Sequence, residues 1–245
     1  MGRIITGDCL EIMPTLADKS VDMILCDLPY GSVACKWDVR IPFEPLWKQY
    51  KRLIKNNGAI VLTASQPFTS ALIMSALTYF RYEWIWEKTR PTGFFTAKRM
   101  PMKTHENVLV FYKNTPTYNP IMTKAEDSKI DKRKTLNPTF SPYLGVHKER
   151  VKDSGNRYPT TVQRFPSISQ EGQHPTQKPV ALFEYLIRTY TNEGDTVLDN
   201  CAGSGTTAIA CIRTNRNYIL IEKEPEYIEI INKRIAKAEE QINLF

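Results

Sequence analysis

The sequence has few of the residues that build metal sites and disulfide frameworks. It contains three histidines in 245 residues, and five cysteines at positions 9, 26, 35, 201 and 211. No two cysteines have the C-x-x-C spacing that is typical of zinc sites, and their odd number does not suit a disulfide framework. The sequence therefore predicts reduced thiols and no bound metal.

Long apolar runs are also missing. No stretch approaches the roughly 20 apolar residues that a helix needs to span a bilayer, and the first ten residues, which include Arg3 and Asp8, do not resemble a signal peptide. Apolar residues make up 42% and charged residues 24% of the chain, as in ordinary globular proteins. We expect one domain of 245 residues, with or without an insert, that acts in the cytoplasm and has no membrane partner.

Positive charge is concentrated in one segment. The formal net charge is +7, and residues 113–164 contain eleven Lys or Arg against five Asp or Glu. Residues 114–172 show little periodicity, and a loop of that length is usually functional or disordered. Its basic residues alternate with aromatic ones, namely Tyr118, Phe140, Tyr143, Tyr158 and Phe165. This composition favours an insert that binds nucleic acid, and a solvated loop that becomes ordered only on DNA is compatible with it.

Strand and helix patterns alternate outside that insert. Apolar runs predict strands at Val21–Cys26, Ala59–Thr63, Tyr82–Glu87, Asn107–Tyr112, Thr196–Asp199 and Tyr218–Glu222. Helical spacing predicts helices at Glu44–Lys55, Pro67–Tyr79, Pro179–Thr191, Thr206–Thr214 and Pro225–Gln241. Such alternation is typical of a largely parallel sheet that is covered by helices on both faces.

Two features of the middle of the chain have alternative interpretations. Trp84 and Trp86 lie on one face of a predicted strand, where core packing is favoured over contact with a base. The segment Thr89–Lys103 looks irregular and is net basic. Its residues Lys98, Arg99 and Lys103 are either phosphate contacts or part of a solvated loop.

A glycine-containing turn follows the strand that ends at Asp199. Gly203 and Gly205 allow the backbone to approach a ligand closely, and Glu222 at the end of the next strand can accept hydrogen bonds from ribose hydroxyls. The alternative is a tight turn in which glycine serves packing alone. No lysine follows the glycines, so the turn is not a P-loop, and the third glycine of a dinucleotide fingerprint is missing. The pattern favours binding of a nucleoside.

The second candidate element is Asp27-Leu28-Pro29-Tyr30, directly after a predicted strand. Alone it could be a turn capped by aspartate. Beside a nucleoside site it suits methylation of an exocyclic amine, because two acceptors that hold the amino hydrogens localise the nitrogen lone pair. Asp27 offers one acceptor and the backbone carbonyl of Leu28, held extended before Pro29, offers the other. Tyr30 offers a flat face for a base, which must be flipped out of the duplex to enter.

These elements resemble the N6-adenine/N4-cytosine DNA methyltransferases of the β arrangement, in which a D-P-P-Y element precedes an F-x-G-x-G element. The resemblance covers nearly the whole chain. It rests on Gly7-Asp8-Cys9, Asp27–Tyr30, His105-Glu106, His174-Pro175-Thr176-Gln177-Lys178-Pro179, Asp199–Thr206 and Glu222.

The resemblance implies a Rossmann-like class I methyltransferase fold, S-adenosylmethionine as the methyl donor and double-stranded DNA as the partner. It implies that the insert recognises the target sequence, and that the protein acts in a bacterial cytoplasm. Related enzymes are often dimers, so a homodimer is compatible with it, and no pattern here indicates a cognate restriction endonuclease. The implied cofactor-binding residues are Asp8, Cys9, His174, Pro175, Thr176, Lys178, Asp199, Cys201, Gly203, Ser204, Gly205, Thr206 and Glu222.

The sequence departs from the family pattern at two places. Leu28 replaces the first proline of the D-P-P-Y element, and Asn200-Cys201 stands where Pro-Phe is usual. Asp27, where serine would be the alternative, favours adenine N6 as the acceptor, with cytosine N4 left open. A homologue that binds DNA but has lost catalysis is the remaining alternative. A protein-glutamine methyltransferase is disfavoured, because that family has its cofactor glycines first.

Overall fold

The computed structural model describes residues 2–31, 38–125, 139–141, 146–148, 155–167 and 177–242. The chain divides into two compact units. The larger comprises Met1–Asn119 and Thr161–Phe245, and the smaller comprises Pro120–Thr160.

The larger unit is an α/β structure. Its strands are β1 (Gly2–Thr6), β2 (Val21–Cys26), β3 (Ile54–Ala64), β4 (Phe80–Thr92), β5 (Lys103–Phe111), β10 (Val162–Phe165), β11 (Thr196–Asp199) and β12 (Asn217–Glu222). Its α-helices are α1 (Cys9–Ile12), α2 (Phe43–Leu53), α3 (Phe68–Ser75), α4 (Val180–Tyr190), α5 (Thr206–Arg213) and α6 (Pro225–Ile242). Short 3₁₀ helices lie at Met13–Thr15 and Phe94–Thr96.

The eight strands form one sheet in the order β1-β12-β11-β2-β3-β5-β4-β10. All neighbours are parallel except β5, which is antiparallel to both β3 and β4. The predicted largely parallel sheet is therefore confirmed. Because β4 runs in the same direction as β2 and β11, the carboxyl ends of these strands lie at one edge of the sheet.

Alternate residues of each central strand bury against opposite layers of helices, as the two-residue repeat of a strand requires. In β2, Met23 and Leu25 pack in the core formed with α4, α5 and α6. Ile24 and Cys26 pack in the core formed with α1, α2 and α3. The apolar runs of the central strands come from this burial on both faces.

The predicted insert of residues 114–172 is broader than the smaller unit. Asn119 at its start donates to the carbonyls of Arg188 and Thr191 near the end of α4, and β10 near its end belongs to the main sheet. Both flanks are thus parts of the larger unit. The smaller unit itself contains β6 (Thr123–Lys124) paired with β9 (Asn156–Arg157), and β7 (Thr139–Ser141) paired with β8 (Val146–Lys148).

Candidate active site

A cavity of about 720 Å³ lies at the carboxyl edge of the sheet. This is the edge at which open α/β sheets bind ligands. It brings together thirteen of the predicted site residues, namely Asp8, Cys9, Asp27, Leu28, Pro29, Tyr30, Lys178, Asp199, Cys201, Gly203, Ser204, Thr206 and Glu222. Gly205 is not among the residues that line the cavity. The predicted cofactor residues His174, Pro175 and Thr176 lie outside the described residues.

Asp27 is the centre of a cluster of hydrogen bonds at the end of β2. Its Oδ1 accepts from the Tyr30 hydroxyl at 3.0 Å and from the Thr63 hydroxyl at short range. Its Oδ2 accepts from the Lys178 ammonium at 2.6 Å. A carboxylate has about four acceptor positions, and these three donors occupy three of them. Among the described residues no donor takes the fourth position, so one acceptor position of Oδ2 is open to a ligand in the cavity.

Lys178 connects Asp27 to a second carboxylate. Its Nζ lies 3.5 Å from Oε2 of Glu106, whose Oε1 is paired with Lys88 at 2.5 Å. Burial lowers the pKa of Lys178, but the negative charges of Asp27 and Glu106 outweigh burial and the pKa is raised above its usual value. The Lys178 side chain is only 6% exposed. The cluster therefore holds a buried ammonium ion, that of Lys178, against the cavity.

The ring of Tyr30 is fixed from two sides. It stacks on Phe68 with centroids 5.1 Å apart and planes 24° apart. Its hydroxyl donates to Asp27, and burial, followed by the charges of Asp27 and Glu106, raises its pKa well above the usual value. The phenol therefore stays protonated and acts as a donor. The predicted stacking of a base on this ring stays a prediction.

The glycine turn is held by the two acidic residues that flank it. Glu222 accepts from the backbone N–H of Gly203 at 2.7 Å through Oε2. Its Oε1 accepts from the backbone N–H groups of Lys223 and Glu224 at 2.9 and 3.0 Å. Burial raises the pKa of Glu222 above its usual range. The carboxylate that we predicted for ribose thus also ties β12 to the turn.

Asp199 lies beneath the same turn and is almost fully buried. It accepts from the Thr207 hydroxyl at 2.5 Å and from the backbone N–H of Cys201 at 3.1 Å. Burial raises its pKa to about 6. Its hydrogen bonds join β11, the turn and the first residues of α5, so its visible contacts are structural.

The first helix presents Asp8 and Cys9 to the cavity. Asp8 caps α1, because its Oδ1 accepts from the backbone N–H of Leu10 at 2.8 Å. Cys9 is buried and its thiol shares hydrogen bonds with that of Cys201. The Cys26 thiol lies in the same group, and burial raises its pKa to about 12. The hydrogen bond with Cys201 lowers the pKa of Cys9, and Cys201 is the partly exposed member of the group.

Both departures from the family pattern are accommodated by local contacts. The Leu28 side chain is 3% exposed and packs in the core with α1, α2 and α3. Asn200 accepts a hydrogen bond from the Tyr50 hydroxyl at 2.6 Å and is buried. The replaced prolines thus give way to a packed apolar side chain and a satisfied polar one.

The sequence patterns missed Thr63, and they gave no role to Glu106 or Lys88. Leu62 of β3 is paired with Cys26 of β2, so the residue after each lies side by side at the carboxyl edge. Strand-end position was therefore an available signal for Thr63 once the strand order was known. Glu106 belongs to the His105-Glu106 pair on which the resemblance partly rests, but only the antiparallel direction of β5 brings it to this edge.

The described residues contain neither a metal-binding cluster nor a membrane-spanning helix. Within the ranges that the structure describes, no group of three or more His, Cys, Asp or Glu side chains could hold a metal ion. None of the described helices is long and apolar enough to cross a membrane.

Known proteins similar to this chain are DNA methyltransferases. The family model described as DNA methylase (N6_N4_Mtase) matches residues 21–233. The type II methyltransferase M.HinfI of Haemophilus influenzae is 30% identical over 268 aligned residues, which cover 97% of this chain and 69% of that protein.

Two solved structures resemble the fold. The M1.HpyAVI–SAM complex has a TM-score of 0.63 and 26% identity, covering 96% of this chain and 100% of that one. The PvuII DNA methyltransferase, which is cytosine-N4-specific, has a TM-score of 0.67 at 16% identity, covering 98% and 92%. The second likeness shows the fold alone, and the two together confirm the predicted class I methyltransferase fold. The chain belongs to the N6/N4 DNA methylase family, whose members are S-adenosylmethionine-dependent DNA methyltransferases.

Proposed function

We propose that this protein transfers the methyl group of S-adenosylmethionine to N6 of an adenine that is flipped out of double-stranded DNA. The observation that carries the proposal is the Asp27 cluster, which lies in the same cavity as the glycine turn. An acceptor for an amine and a site for a nucleoside cofactor are thus within one space.

The residues of the cavity suit the cofactor. A volume of about 720 Å³ lies within the usual range for small-molecule sites, roughly 300–1,000 Å³. Gln177 and Ser167 line the cavity, and their buried side-chain oxygens have no hydrogen-bond partner among the described residues. Gly203 and Gly205 have positive φ angles of 51° and 78°, which shape the turn around such a ligand. When bound, S-adenosylmethionine supplies an electrophilic methyl group.

The chain's own residues prepare the amine. The remaining acceptor position of Asp27 Oδ2 takes one amino hydrogen, and the Leu28 carbonyl takes the other, so the nitrogen lone pair turns out of the plane of the base. Thr63, Tyr30 and Lys178 hold the Asp27 carboxylate in one orientation. As the carbon–nitrogen bond forms and the bond between the methyl carbon and the donor sulfur breaks, the nitrogen becomes positive and the Asp27 carboxylate stabilises that charge. The surplus amino proton leaves through Asp27 to water.

The DNA is bound by basic segments in this proposal. The segment of residues 114–172 recognises the target sequence, its Lys and Arg neutralising phosphates. The relative M.HinfI is a type II methyltransferase, and a role in restriction-modification in a bacterial cytoplasm follows from that relationship. Cytosine N4 is the alternative acceptor, because it is also an exocyclic amine. Asp27 at the catalytic position favours adenine.

The test is to replace Asp27 and to identify the modified base. Wild-type protein and the Asp27→Ala variant are expressed in a methylation-free bacterium, and modified bases are mapped across the genome by single-molecule sequencing. We expect N6-methyladenine at one short sequence for the wild type, and a rate of transfer to that site at least about 100-fold lower for the variant, since a lost transition-state acceptor costs about that much.

The matched control removes a carboxylate elsewhere. Asp18 is a mostly exposed residue paired with Arg52, and Asp18→Asn should methylate like the wild type. Binding of S-adenosylmethionine by Asp27→Ala, measured by calorimetry, should remain within a few fold of the wild type. An unchanged transfer rate in Asp27→Ala would refute the proposed chemistry. N4-methylcytosine at the mapped site would show that the acceptor is cytosine N4 and not adenine N6.

A further inference from the structure

Two phenylalanines project into solvent at the tip of the hairpin between β4 and β5. Phe94 is 75% exposed and Phe95 is 101% exposed, the largest fraction for any large apolar side chain in the described ranges. Their rings contact each other edge to face, with centroids 6.4 Å apart. We call this pair the aromatic tip. Exposed aromatic pairs are unfavourable in water and usually mark a binding surface.

The aromatic tip is held by a defined backbone. Thr92 at the end of β4 is paired with Lys103 at the start of β5. Between them Gly93 adopts a φ of 92°, and its carbonyl accepts from the N–H and the hydroxyl of Thr96 at 3.1 and 3.0 Å. The N–H of Ala97 donates to the carbonyl of Phe94 at 3.1 Å. The hairpin therefore presents the two rings by its own geometry.

The hairpin rises beside the candidate active site. Its base residues Thr92 and Lys103 line the cavity, as do Trp86 and Lys88 further down the same strand. Because β4 is parallel to β2, the tip lies beyond the same edge of the sheet as Asp27. The aromatic tip is thus two residues from the wall of the cavity that would receive the flipped base.

The charge around the aromatic tip indicates what binds it. Residues 89–104 include Arg90, Lys98, Arg99 and Lys103 and no Asp or Glu. These four basic residues are all exposed. A stretch that is purely basic and carries exposed aromatic rings complements a polyanion with a stacked apolar interior, which is the chemistry of duplex DNA. An apolar surface of another protein would not need these charges.

We propose that the aromatic tip is a wedge that enters the base stack beside the target base and keeps that base out of the duplex. Lys98 and Arg99 contact the adjoining phosphates and hold the hairpin in register. Filling the vacated space compensates for the lost stacking, so flipping becomes less costly. This inference rests on the proposed function and adds to it the residues that promote flipping.

The experiment compares two duplexes that contain the mapped recognition site. In the first the target base is normally paired, and in the second it faces an abasic position, so that it is already unpaired. Single-turnover methyl transfer is measured with radiolabelled S-adenosylmethionine for the wild type, for Phe94→Ala/Phe95→Ala and for the control Met74→Ala. Met74 lies on α3 and is 69% exposed, so the control also removes an exposed apolar side chain.

We expect the double variant to lose at least tenfold in rate on the paired duplex and less than threefold on the abasic duplex. A 2-aminopurine at the target position should brighten less with the double variant than with the wild type, and Met74→Ala should match the wild type in every assay. Lys98→Ala/Arg99→Ala should weaken binding to both duplexes equally.

Three results would overturn the wedge. The first is an equal loss on both duplexes, which would indicate a general DNA contact. The second is an unchanged rate on the paired duplex. The third is a change in oligomeric state of the double variant in size-exclusion chromatography, which would make the tip a contact between copies of the chain. The activity of the wild type distinguishes failure of the proposed function from failure of the wedge. If it methylates neither duplex the proposed function fails, whereas an active wild type that the double variant matches refutes the wedge alone.

Discussion

Lys178 pairs with the proposed acceptor Asp27 from a position 151 residues further along the chain. Removing one partner of a buried ion pair leaves the other charge uncompensated, which is strongly unfavourable. The resemblance implies that Lys178 binds the cofactor, whereas its visible contacts are to Asp27 and Glu106. At the residue scale, Lys178 is best described as a positioning residue that neutralises two carboxylates and orients one of them.

We expect Lys178→Met to lower the rate of methyl transfer at every pH between 5 and 9, because the Asp27 carboxylate loses the ammonium that orients it. Without the cation, the carboxylates of Asp27 and Glu106 also repel each other. Titration of Lys178 itself does not limit the wild type in this range. Its pKa is raised, so the ammonium persists below the usual pKa of about 10.4 for lysine and is lost only as the pH rises above that value. Methyl transfer measured between pH 5 and 9 provides the profile.

Two further variants make the Lys178 result specific. Lys178→Arg keeps the charge and should restore most of the rate. Lys55→Met breaks the ion pair with Asp22 at the opposite end of β2 and should leave the rate unchanged. A Lys178→Met protein that is less stable but transfers methyl groups at the wild-type rate would show that the lysine is structural only.

At the scale of elements, the glycine turn between β11 and α5 is formed by close packing as well as by ligand access. Gly205 has a φ of 78°, and a β-carbon built there would lie 2.9 Å from Cγ1 of Ile231 in α6. The turn therefore touches a helix on the side away from the cavity. A glycine is required at this position on two independent grounds, namely backbone conformation and space.

We expect Gly205→Ala to lower the free energy of unfolding by about 2–5 kcal/mol, the sum of a left-handed backbone penalty of about 1–2 and an overpacking penalty of about 1–3 kcal/mol. Gly194→Ala is the matched control, because Gly194 has a φ of 83° but nothing lies within 4 Å of its added β-carbon. Gly194→Ala should lose only the free energy of the backbone penalty. Denaturant unfolding measures the free energy of unfolding of both variants, and equal losses would show that Ile231 moves aside.

At the scale of the whole molecule, charge is distributed unevenly. The net charge is +7, and residues 113–164 have an excess of basic residues. The hairpin of the aromatic tip is a second basic segment, next to the cavity. Binding of a polyanion to such a protein releases counterions, so its affinity falls steeply with salt. This release is independent of the catalytic cluster.

We expect Lys132→Gln/Arg133→Gln/Lys134→Gln to reduce the slope of log affinity against log salt by up to about 2–3, since each phosphate contact contributes about 0.9. These positions lie outside the described residues. A control with the same loss of charge is Lys48→Gln/Lys233→Gln/Lys237→Gln, at exposed positions of α2 and α6. Fluorescence anisotropy with a labelled duplex measures the slope. Equal slopes for both variants would indicate that only net charge matters.

Most elements were predictable where burial on both faces leaves a strong pattern. The strands Val21–Cys26 and Thr196–Asp199 match their predicted bounds. The edge strand β1 was missed, because it is only partly buried and its pattern is weak. The segment after Glu87 looked irregular, but β4 continues to Thr92 as an exposed ribbon whose residues have no apolar alternation.

The sequence alone determined the order of the two chemical elements, the largely parallel sheet and the placement of Asp27 and Asp199 at strand ends. These follow from local periodicity and from residues within a few positions of each other. Only the tertiary structure decided which groups surround Asp27. Thr63 and Glu106 come from separate strands and Lys178 from the segment just before α4, and their proximity depends on strand order, strand direction and register. Those are set by packing of the whole sheet, which no local pattern encodes.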